Sequence, residues 1–476
     1  MINRTPHASH TRWLPYIVAA TFFMEYLDTT VIATALPQMA HSFGVGPNSL
    51  SLGMTAYMLA LAIFIPVSGW VADRCGSRTV FFSAIVVFTV ASMLCGMSRN
   101  EIEFTAARVL QGVGGAMMVP VGRLIVVRST EKSRLMQAIS TITWPAIAAP
   151  VVGPPIGGFI TTYASWRWIF FLNVPVGIVV LAVVAALVPN LRGTERRPLD
   201  VVGLMLSGAT LTAILYGAEL ASQPGRSPWG ALGFVAAGFV FGVVAFRHAK
   251  HHPHPLIDVS TLKIPTFSVT VVSGSLTRIG IGAVPYLMPL LFQIGFGLSA
   301  FRSGLLLLAS AVGNLGMKAL TTHILRRYGF RMVSIVDVTV AGVFIIACGL
   351  LTPGLPLALI LVVVFIYGVA RSMQFSLLAT LAYADVPQPQ MNAASTLWSA
   401  AAQMTIGLGI AFGAVSLRLG ALINGEEAGR PFTLDDFRFA FLFAGVLTLA
   451  SVIGYMRLAH DAGRSVGGGA RRQGTA

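Results

Sequence analysis

The sequence predicts an all-α, polytopic membrane protein. Of its 476 residues, 55% are hydrophobic and 10% are charged, whereas roughly a quarter of the residues in a soluble domain are charged. Apolar runs of about 18–25 residues, the length that crosses a bilayer as a helix, recur along the whole chain. We count fourteen such runs: 13–36, 50–70, 80–98, 104–127, 137–162, 169–189, 201–221, 229–246, 266–291, 303–324, 332–352, 355–380, 393–416 and 438–456.

The formal net charge of +15 indicates membrane topology rather than nucleic-acid binding. No basic run with interleaved aromatic residues lies in a separate soluble domain, so we expect no nucleic-acid partner. With a cytoplasmic N-terminus and alternating spans, 20 of the 32 Lys and Arg residues fall in cytoplasmic segments and 7 in outer loops, where Arg438 at the start of the last run is counted with its loop. Basic residues concentrate on the cytoplasmic side of spans. The sequence therefore predicts an inner-membrane protein with both termini in the cytoplasm.

Motifs of other function classes are absent from the sequence. The three cysteines have no metal-ligand spacing, and the chain has no Walker-type phosphate loop. Four histidines fall in a proline-containing linker, where we expect a solvated loop and no metal: His248, His251, His252 and His254. We therefore expect a transporter without catalytic residues or cofactor. A polytopic membrane enzyme and a transporter-like sensor are the less favoured alternatives.

Two short connections resemble each other and indicate an internal repeat. Residues 69–78 follow the second run and residues 325–331 follow the tenth. In each, a glycine comes two positions after a basic residue, and an Arg comes two positions after that glycine. Repeats are common in secondary transporters. In a six-helix repeat, run two would match run eight. It matches run ten instead, so the sequence predicts two inserted helices. The predicted domains are 1–190 (six helices), 191–265 (the inserted pair) and 266–476 (six helices and a tail).

The first apolar run carries two acids, Glu25 and Asp28, which share one face of a helix because they are three residues apart. Ionisable groups inside a membrane are unfavourable and usually functional. The fourth run carries Arg108 and Gln111, which are also three apart. We expect the Arg108 side of this run to face the two acids, because an arginine stays protonated and holds a nearby carboxylate ionised. The alternative is an Arg108 that snorkels to the outer surface.

Five ordered stretches of the chain carry motifs: Leu27–Pro37, Gly69–Arg78, Arg108–Ala116, Gly153–Gly158 and Trp166–Gly177. They resemble the motifs of the major facilitator superfamily, in its fourteen-span drug:proton antiporter branch (EmrB/QacA-like). Two residues depart from the branch pattern: Ala33 stands where Asn is usual and Ala149 where Gly is usual.

This resemblance implies a fold of two six-helix bundles plus two inserted helices. It implies a secondary active exporter that exchanges a cytoplasmic small molecule for protons, with the lipid bilayer as its surroundings. Asp28, inside the first motif, is then the main protonation candidate and Glu25 the second, with Arg108 completing the proton-coupling set. A periplasmic adaptor is a further partner of some such exporters, and the sequence carries no signal for one.

Two motifs have expected conformational roles. The loop between runs two and three resembles a latch that stabilises one of two conformations, with a plain positive-inside loop as the alternative. Its residues are Gly69, Asp73, Arg74, Gly76 and Arg78. The antiporter motif combines glycines that permit close packing with prolines that bend a helix, so we expect it to shape a seal. Its residues are Gly153, Pro154, Pro155, Gly157 and Gly158.

Bases outnumber acids among the residues predicted inside the spans. The predicted substrate cavity contains Gln111, Arg123, Arg278, Lys318 and Arg371. A net positive cavity suits an anion, whereas a cavity for lipophilic cations is expected to hold more acids than bases. An organic anion, such as a citrate-like or metal–citrate species, is therefore the alternative to a multidrug substrate range.

Overall fold

The computed structural model describes residues 13–130, 134–190, 192, 198–222, 228–253, 255–387, 390–425, 431–459 and 462. Within these residues the secondary structure is helical, as predicted. A 3₁₀ turn, Val259–Lys263, precedes α11, and a π-helical turn, Leu291–Gly295, follows it. The α-helices are α1 (Leu14–Phe43), α2 (Ser51–Cys75), α3 (Ser77–Met97), α4 (Glu101–Ser129), α5 (Leu135–Thr143), α6 (Pro145–Tyr163), α7 (Trp168–Phe171), α8 (Asn173–Leu187), α9 (Val201–Ser222), α10 (Pro228–His251), α11 (Pro265–Leu290), α12 (Ala300–Tyr328), α13 (Phe330–Gly349), α14 (Leu357–Ala384), α15 (Met391–Ile423), α16 (Leu434–Ala450) and α17 (Val452–Tyr455).

Thirteen stretches of the described residues are long and apolar enough to cross a membrane. The fifth predicted run, 137–162, is the one that differs, because it is divided into α5 and α6. Pro145 occupies the start of α6. Proline has no amide hydrogen and suits the first turn of a helix, so a new helix begins there. The fifth run is therefore two shorter helices in place of one long helix.

Polar residues define several helix ends. The Asn100 side chain accepts a hydrogen bond from the Glu103 amide at 2.9 Å and caps α4. Thr433 and Asp436 form a reciprocal capping box at the start of α16. Gly44 ends α1 with φ = +68°, a conformation that favours glycine. These caps set the lengths of the helices that carry the buried polar residues.

Helices before residue 190 contact helices after residue 265 on the side opposite the start of α1. One close approach is at Gly158, where an added Cβ would lie 2.4 Å from the Ala300 carbonyl oxygen. The Phe301 amide donates to Thr162 Oγ1 at 3.0 Å. The Gln293 side chain donates to the Thr34 carbonyl at 3.1 Å. These contacts close that side of the molecule.

A buried acid holds the α9–α10 pair to the segment that follows it. Asp200 precedes α9 and accepts hydrogen bonds from the Gly203 amide at 2.7 Å and the Leu256 amide at 3.1 Å. His248 Nε2, on α10, lies 2.8 Å from Asp200 Oδ1. Burial raises the pKa of the Asp200 carboxyl, but the hydrogen bonds from Gly203, His248 and Leu256 outweigh burial and hold this pKa below its usual value.

The prediction of a solvated histidine loop is wrong for His248. The helix continues beyond the predicted end of its apolar run, to His251, and this extension turns His248 toward Asp200. The His252 ring lies 5.0 Å from the His248 ring, and one ligand atom from each histidine and from Asp200 fall within 4.8 Å of one another. His254 lies outside the described residues.

Asp200→Ala is expected to lower the free energy of unfolding by about 1–2 kcal/mol at neutral pH, since a helix cap is lost. A carboxyl whose folded-state pKa is lowered stabilises the fold above its unfolded-state pKa, and this contribution disappears as the pH falls through the folded-state pKa. The difference from wild type should therefore shrink as the pH falls below the ordinary aspartate pKa of about 3.9 and disappear below the lower folded-state pKa. Thermal unfolding in detergent at neutral and acid pH measures it. The exposed Asp435→Ala is the control, and an equal loss in both variants would contradict the role of Asp200.

Candidate functional site

A buried ion pair joins α1 to α4. Arg108 Nη1 donates to Asp28 Oδ2 at 2.5 Å, and each side chain is only 1% exposed. The Arg108 guanidinium also lies over the Tyr57 ring of α2, 4.1 Å from its centroid. The expected approach of Arg108 to the acids of α1 is therefore present, and the alternative of an outward-snorkelling Arg108 is wrong. Arg108 instead lies among three helices.

Two amides complete the surroundings of Asp28. Gln111 Nε2 donates to Asp28 Oδ1 at 2.8 Å and Asn173 Nδ2 donates to the same oxygen at 3.3 Å. Asn173 also donates to Ser92 Oγ at 3.0 Å, and Gln111 Oε1 accepts from Arg108 at 2.7 Å. Gln111 is fully buried, so it belongs to this polar network and not to an open cavity.

Glu25, one helical turn before Asp28, lies in different surroundings. Its residue is 5% exposed, and its Oε2 has no hydrogen-bond partner among the described residues. An added Cβ at Gly115 would lie 3.5 Å from the Glu25 carboxyl carbon and 3.2 Å from the Tyr57 hydroxyl. The Tyr57 hydroxyl is itself buried without a partner in the described chain. An ionised carboxylate without a partner is unfavourable in such a place.

Two members of the network were missed by sequence reasoning. Asn173 lies inside the Trp166–Gly177 motif, so that motif was the available signal. Tyr57 lies in an apolar run and its residue type gives no signal by itself, because an aromatic residue in a span usually serves packing. Both residues contact the ion pair only because α2 and α8 converge on α1 and α4 in three dimensions.

The predicted latch loop forms an ion pair with a residue outside it. Asp73 Oδ1 accepts from Arg128 Nη2 at 2.9 Å, with the two side chains 38% and 34% exposed. The Arg74 guanidinium lies 5.3 Å from the Trp70 ring. Gly76 joins α2 to α3 with φ = +96°, and Gly69 and Arg78 are exposed. The loop therefore ties the ends of α2 and α4 together within the first half of the chain.

The predicted packing motif lies in α6, between α1 and α12. Gly153 and Gly157 approach Thr30 and Thr34 of α1, where an added Cβ would lie 2.2 Å and 2.7 Å from the threonine hydroxyl oxygens. Pro154 and Pro155 lie where α12 approaches, beside Gly304. Ala149, which replaces the usual glycine, is fully buried, and its carbonyl accepts from Thr30 at 3.3 Å.

The basic residues predicted to line a cavity differ in how deeply their side chains are buried. Arg123 and Lys318 are exposed. Arg278 is only 4% exposed, and its guanidinium lies 3.8 Å from the centroid of the Trp398 ring. The guanidinium groups of Arg278 and Arg371 both lie within 6 Å of the Phe375 ring, at 5.9 Å and 5.8 Å. Arg278 Nε has no hydrogen-bond partner within the described part of the chain.

A second buried acid lies in the later half of the chain. Asp337 Oδ2, on α13, is buried and lacks a hydrogen-bond partner among the residues that the structure describes, although the Gln374 side chain of α14 hydrogen-bonds to the Asp337 carboxyl. Gln374 also donates to the Ser334 carbonyl at 3.5 Å, one turn from Asp337. Each half of the described chain thus contains a buried acid with one carboxylate oxygen that lacks a partner among the described residues.

Known proteins resemble this chain in both sequence and architecture. The family model described as Major Facilitator Superfamily matches residues 18–414. The MdtD multidrug resistance protein of Escherichia coli O6:H1 is 35% identical over 460 residues, which cover 96% of each chain. MdtD of Salmonella typhimurium (strain LT2) is 34% identical over 456 residues, which cover 95% of this chain and 96% of that protein.

Solved structures show the same arrangement of helices. The POT family transporter PepTSo has a TM-score of 0.70 at 11% identity, covering 94% of this chain and 97% of its own. The D-xylose–proton symporter has a TM-score of 0.67 at 14% identity, covering 94% and 98%. Identities this low support the fold alone. The family model spans the helices that build the Asp28–Arg108 network. The chain therefore belongs to the major facilitator superfamily.

Proposed function

We propose that this membrane transporter exports small molecules from the cytoplasm in exchange for protons. The observation that carries the proposal is the contrast between two acids one turn apart on α1. Arg108, Gln111 and Asn173 compensate the charge of Asp28, whereas Glu25 Oε2 is buried without a partner in the described chain. The relatives named for multidrug resistance support export of amphipathic substrates.

The proposed roles of the two acids reverse the order expected from the sequence. Asp28 forms an ion pair with Arg108 and accepts hydrogen bonds from two amides, so its role is to fix the position of Arg108. Glu25 then takes up the proton. A proton gained from the outer side favours substrate release, and its loss toward the cytoplasm favours substrate binding. The Tyr57 ring lies over Arg108, and the Tyr57 hydroxyl and the Glu25 carboxyl both lie beside Gly115.

The proposed orientation gives this structure a place in the transport cycle. The distribution of basic residues supports an inner-membrane location with both termini in the cytoplasm. The contacts around Gly158 and Phe301 then close the outer side, and the conformation faces inward. Domains 1–190 and 266–476 would move against each other about these contacts, with the pair in 191–265 attached to them.

A transport assay in proteoliposomes tests the function. The purified chain should drive ethidium across the membrane when a pH gradient is imposed, and collapse of the gradient with a protonophore should stop it. Empty liposomes are the control. Ethidium movement that ignores the pH gradient, together with no pH change in the lumen, would contradict proton exchange.

The Arg278 site supports an organic anion as a second substrate class. Arg278 is buried, stacks on Trp398 and has no carboxylate partner among the described residues. A buried guanidinium without a partner is a receptor for a carboxylate. Citrate tested in the same proteoliposomes separates the classes, because Arg278→Gln should abolish citrate transport and spare ethidium transport. Transport of ethidium alone by the wild type would exclude the anion.

Asp73→Asn is expected to leave membrane insertion intact and to reduce the transport rate. The pair with Arg128 is partly exposed, and such pairs contribute only about 0–1 kcal/mol to stability. Its loss should therefore act on the exchange between conformations and not on the fold. Transport rate divided by the amount of protein in the membrane measures this. Asp435→Asn, which removes a more exposed pair with Arg438, is the control, and unchanged transport in Asp73→Asn would contradict a latch.

A further inference from the structure

The α9–α10 pair presents an unusual amount of apolar surface to its surroundings. Only 11% of the apolar window of α10 is buried, the lowest share among the candidate spans. α9 is bound to the rest of the bundle through contacts such as Gly208 with Ile63 of α2. α10 packs on α9, where Gly238 approaches Ile214. The outer face of this pair is therefore available to lipid.

A groove runs along this outer face between the two helices, with a volume of about 490 Å³. Ile214 of α9 forms one wall, and Phe239, Val243 and Phe246 of α10 form the other. Phe239 is 66% exposed and Phe246 is 50% exposed. The walls are apolar over most of the length, so the groove suits a hydrocarbon chain.

The groove is basic at one end. Arg247, Lys250 and His251 line it at the last turn of α10. His251 Nδ1 donates to the Arg247 carbonyl at 2.8 Å, which fixes the imidazole ring at this end. Neither Arg247 nor Lys250 forms an ion pair with a carboxylate of the described residues. These two cations, with the His251 imidazole beside them, therefore form a basic cluster next to an apolar channel.

The length of the groove matches one leaflet of a bilayer. From Gly238 to Lys250 a helix rises roughly 18 Å, and half of a hydrocarbon core is about 15 Å. An acyl chain in the apolar part would thus place its headgroup beside the basic cluster. Basic clusters at the cytoplasmic end of spans attract anionic headgroups.

We propose that this groove binds one phospholipid with an anionic headgroup. The acyl chain lies along Phe239, Val243 and Phe246, and Arg247 and Lys250 bind the phosphate. The lipid would support α10 on the side that no other helix of the described residues covers. This site is separate from the Asp28–Arg108 network and does not depend on the proposed transport activity.

Native mass spectrometry of the purified full chain with added phosphatidylglycerol or phosphatidylcholine tests the site. Phosphatidylglycerol should bind more tightly, and the Arg247→Gln/Lys250→Gln variant should weaken its binding by at least about tenfold. Arg326→Gln/Arg327→Gln is the matched control, because these two residues are also exposed at the last turn of a span. Equal weakening in both variants would show that general surface charge accounts for the lipid binding, and it would overturn the proposal.

A second pair of variants tests the apolar part of the groove. Val243→Trp should fill it and weaken phosphatidylglycerol binding, whereas Val240→Trp, on the same helix but outside the groove, should not. Equal binding of phosphatidylcholine, or full competition by inorganic phosphate, would overturn the proposal. So would a dimer that Val243→Trp dissociates, because a second copy of the chain would then cover the groove.

Discussion

Replacing Arg108 with Gln is expected to lower the free energy of unfolding by about 3–5 kcal/mol, because removal of one partner leaves the other charge of a buried pair uncompensated. Asp28 would keep two amide donors, Gln111 and Asn173, but would lose the guanidinium at 2.5 Å. Thermal unfolding in detergent, followed by a reporter on the N-terminal half, measures the loss.

The double variant Asp28→Asn/Arg108→Gln is the control for this effect. Removal of both charges also removes the uncompensated charge, so most of the stability should return. Transport should not return, because the fixed pair next to Glu25 is still missing. A double variant as unstable as Arg108→Gln would show that the pair acts through packing of the guanidinium on Tyr57 and not through charge.

Replacing Glu25 with Gln is expected to abolish transport driven by a pH gradient and to leave substrate exchange intact. Glutamine has the size of glutamate but cannot carry a proton, so the two directions of the cycle are no longer coupled to the gradient. Exchange of labelled for unlabelled ethidium across proteoliposome membranes needs no net proton movement and should continue. The two assays on one preparation measure both effects.

Glu219→Gln is the matched control for Glu25→Gln. Glu219 is also buried in a span at 1% exposure, but it accepts a hydrogen bond from Ser51 at 3.0 Å. This variant should keep gradient-driven transport. If Glu25→Gln kept it as well, the proton would have to be carried elsewhere, with Asp337 the next candidate.

The fold class and the superfamily were both predictable from the sequence, and both predictions are confirmed. Hydrophobic runs and short ordered motifs are local signals, so they survive in a single chain. The division of the fifth run at Pro145 was also a local signal, but length and hydropathy alone do not locate a helix break. Counting apolar residues therefore predicted one helix where the structure has two.

The surroundings of the acids were only partly predictable. The proximity of Asp28 and Arg108 followed from the charges, since an acid and a base in apolar spans are expected to pair. The isolation of Glu25 and the participation of Tyr57 and Asn173 depend on how α1, α2, α4 and α8 pack together. No local pattern encodes that packing, and the sequence ranked Asp28 above Glu25 as the proton carrier because Asp28 lies inside the Leu27–Pro37 motif.

The most direct test of the proposed coupling is infrared difference spectroscopy of the carboxyl C=O stretch during a pH titration of the purified chain. It needs no substrate, and an Asp337→Asn background removes the carboxyl of Asp337, whose Oδ2 is also buried without a partner among the described residues. We predict a titrating carboxyl signal that is lost in Glu25→Gln and retained in Asp28→Asn. A signal that survives Glu25→Gln and disappears in Asp28→Asn would contradict the assignment of the proton to Glu25.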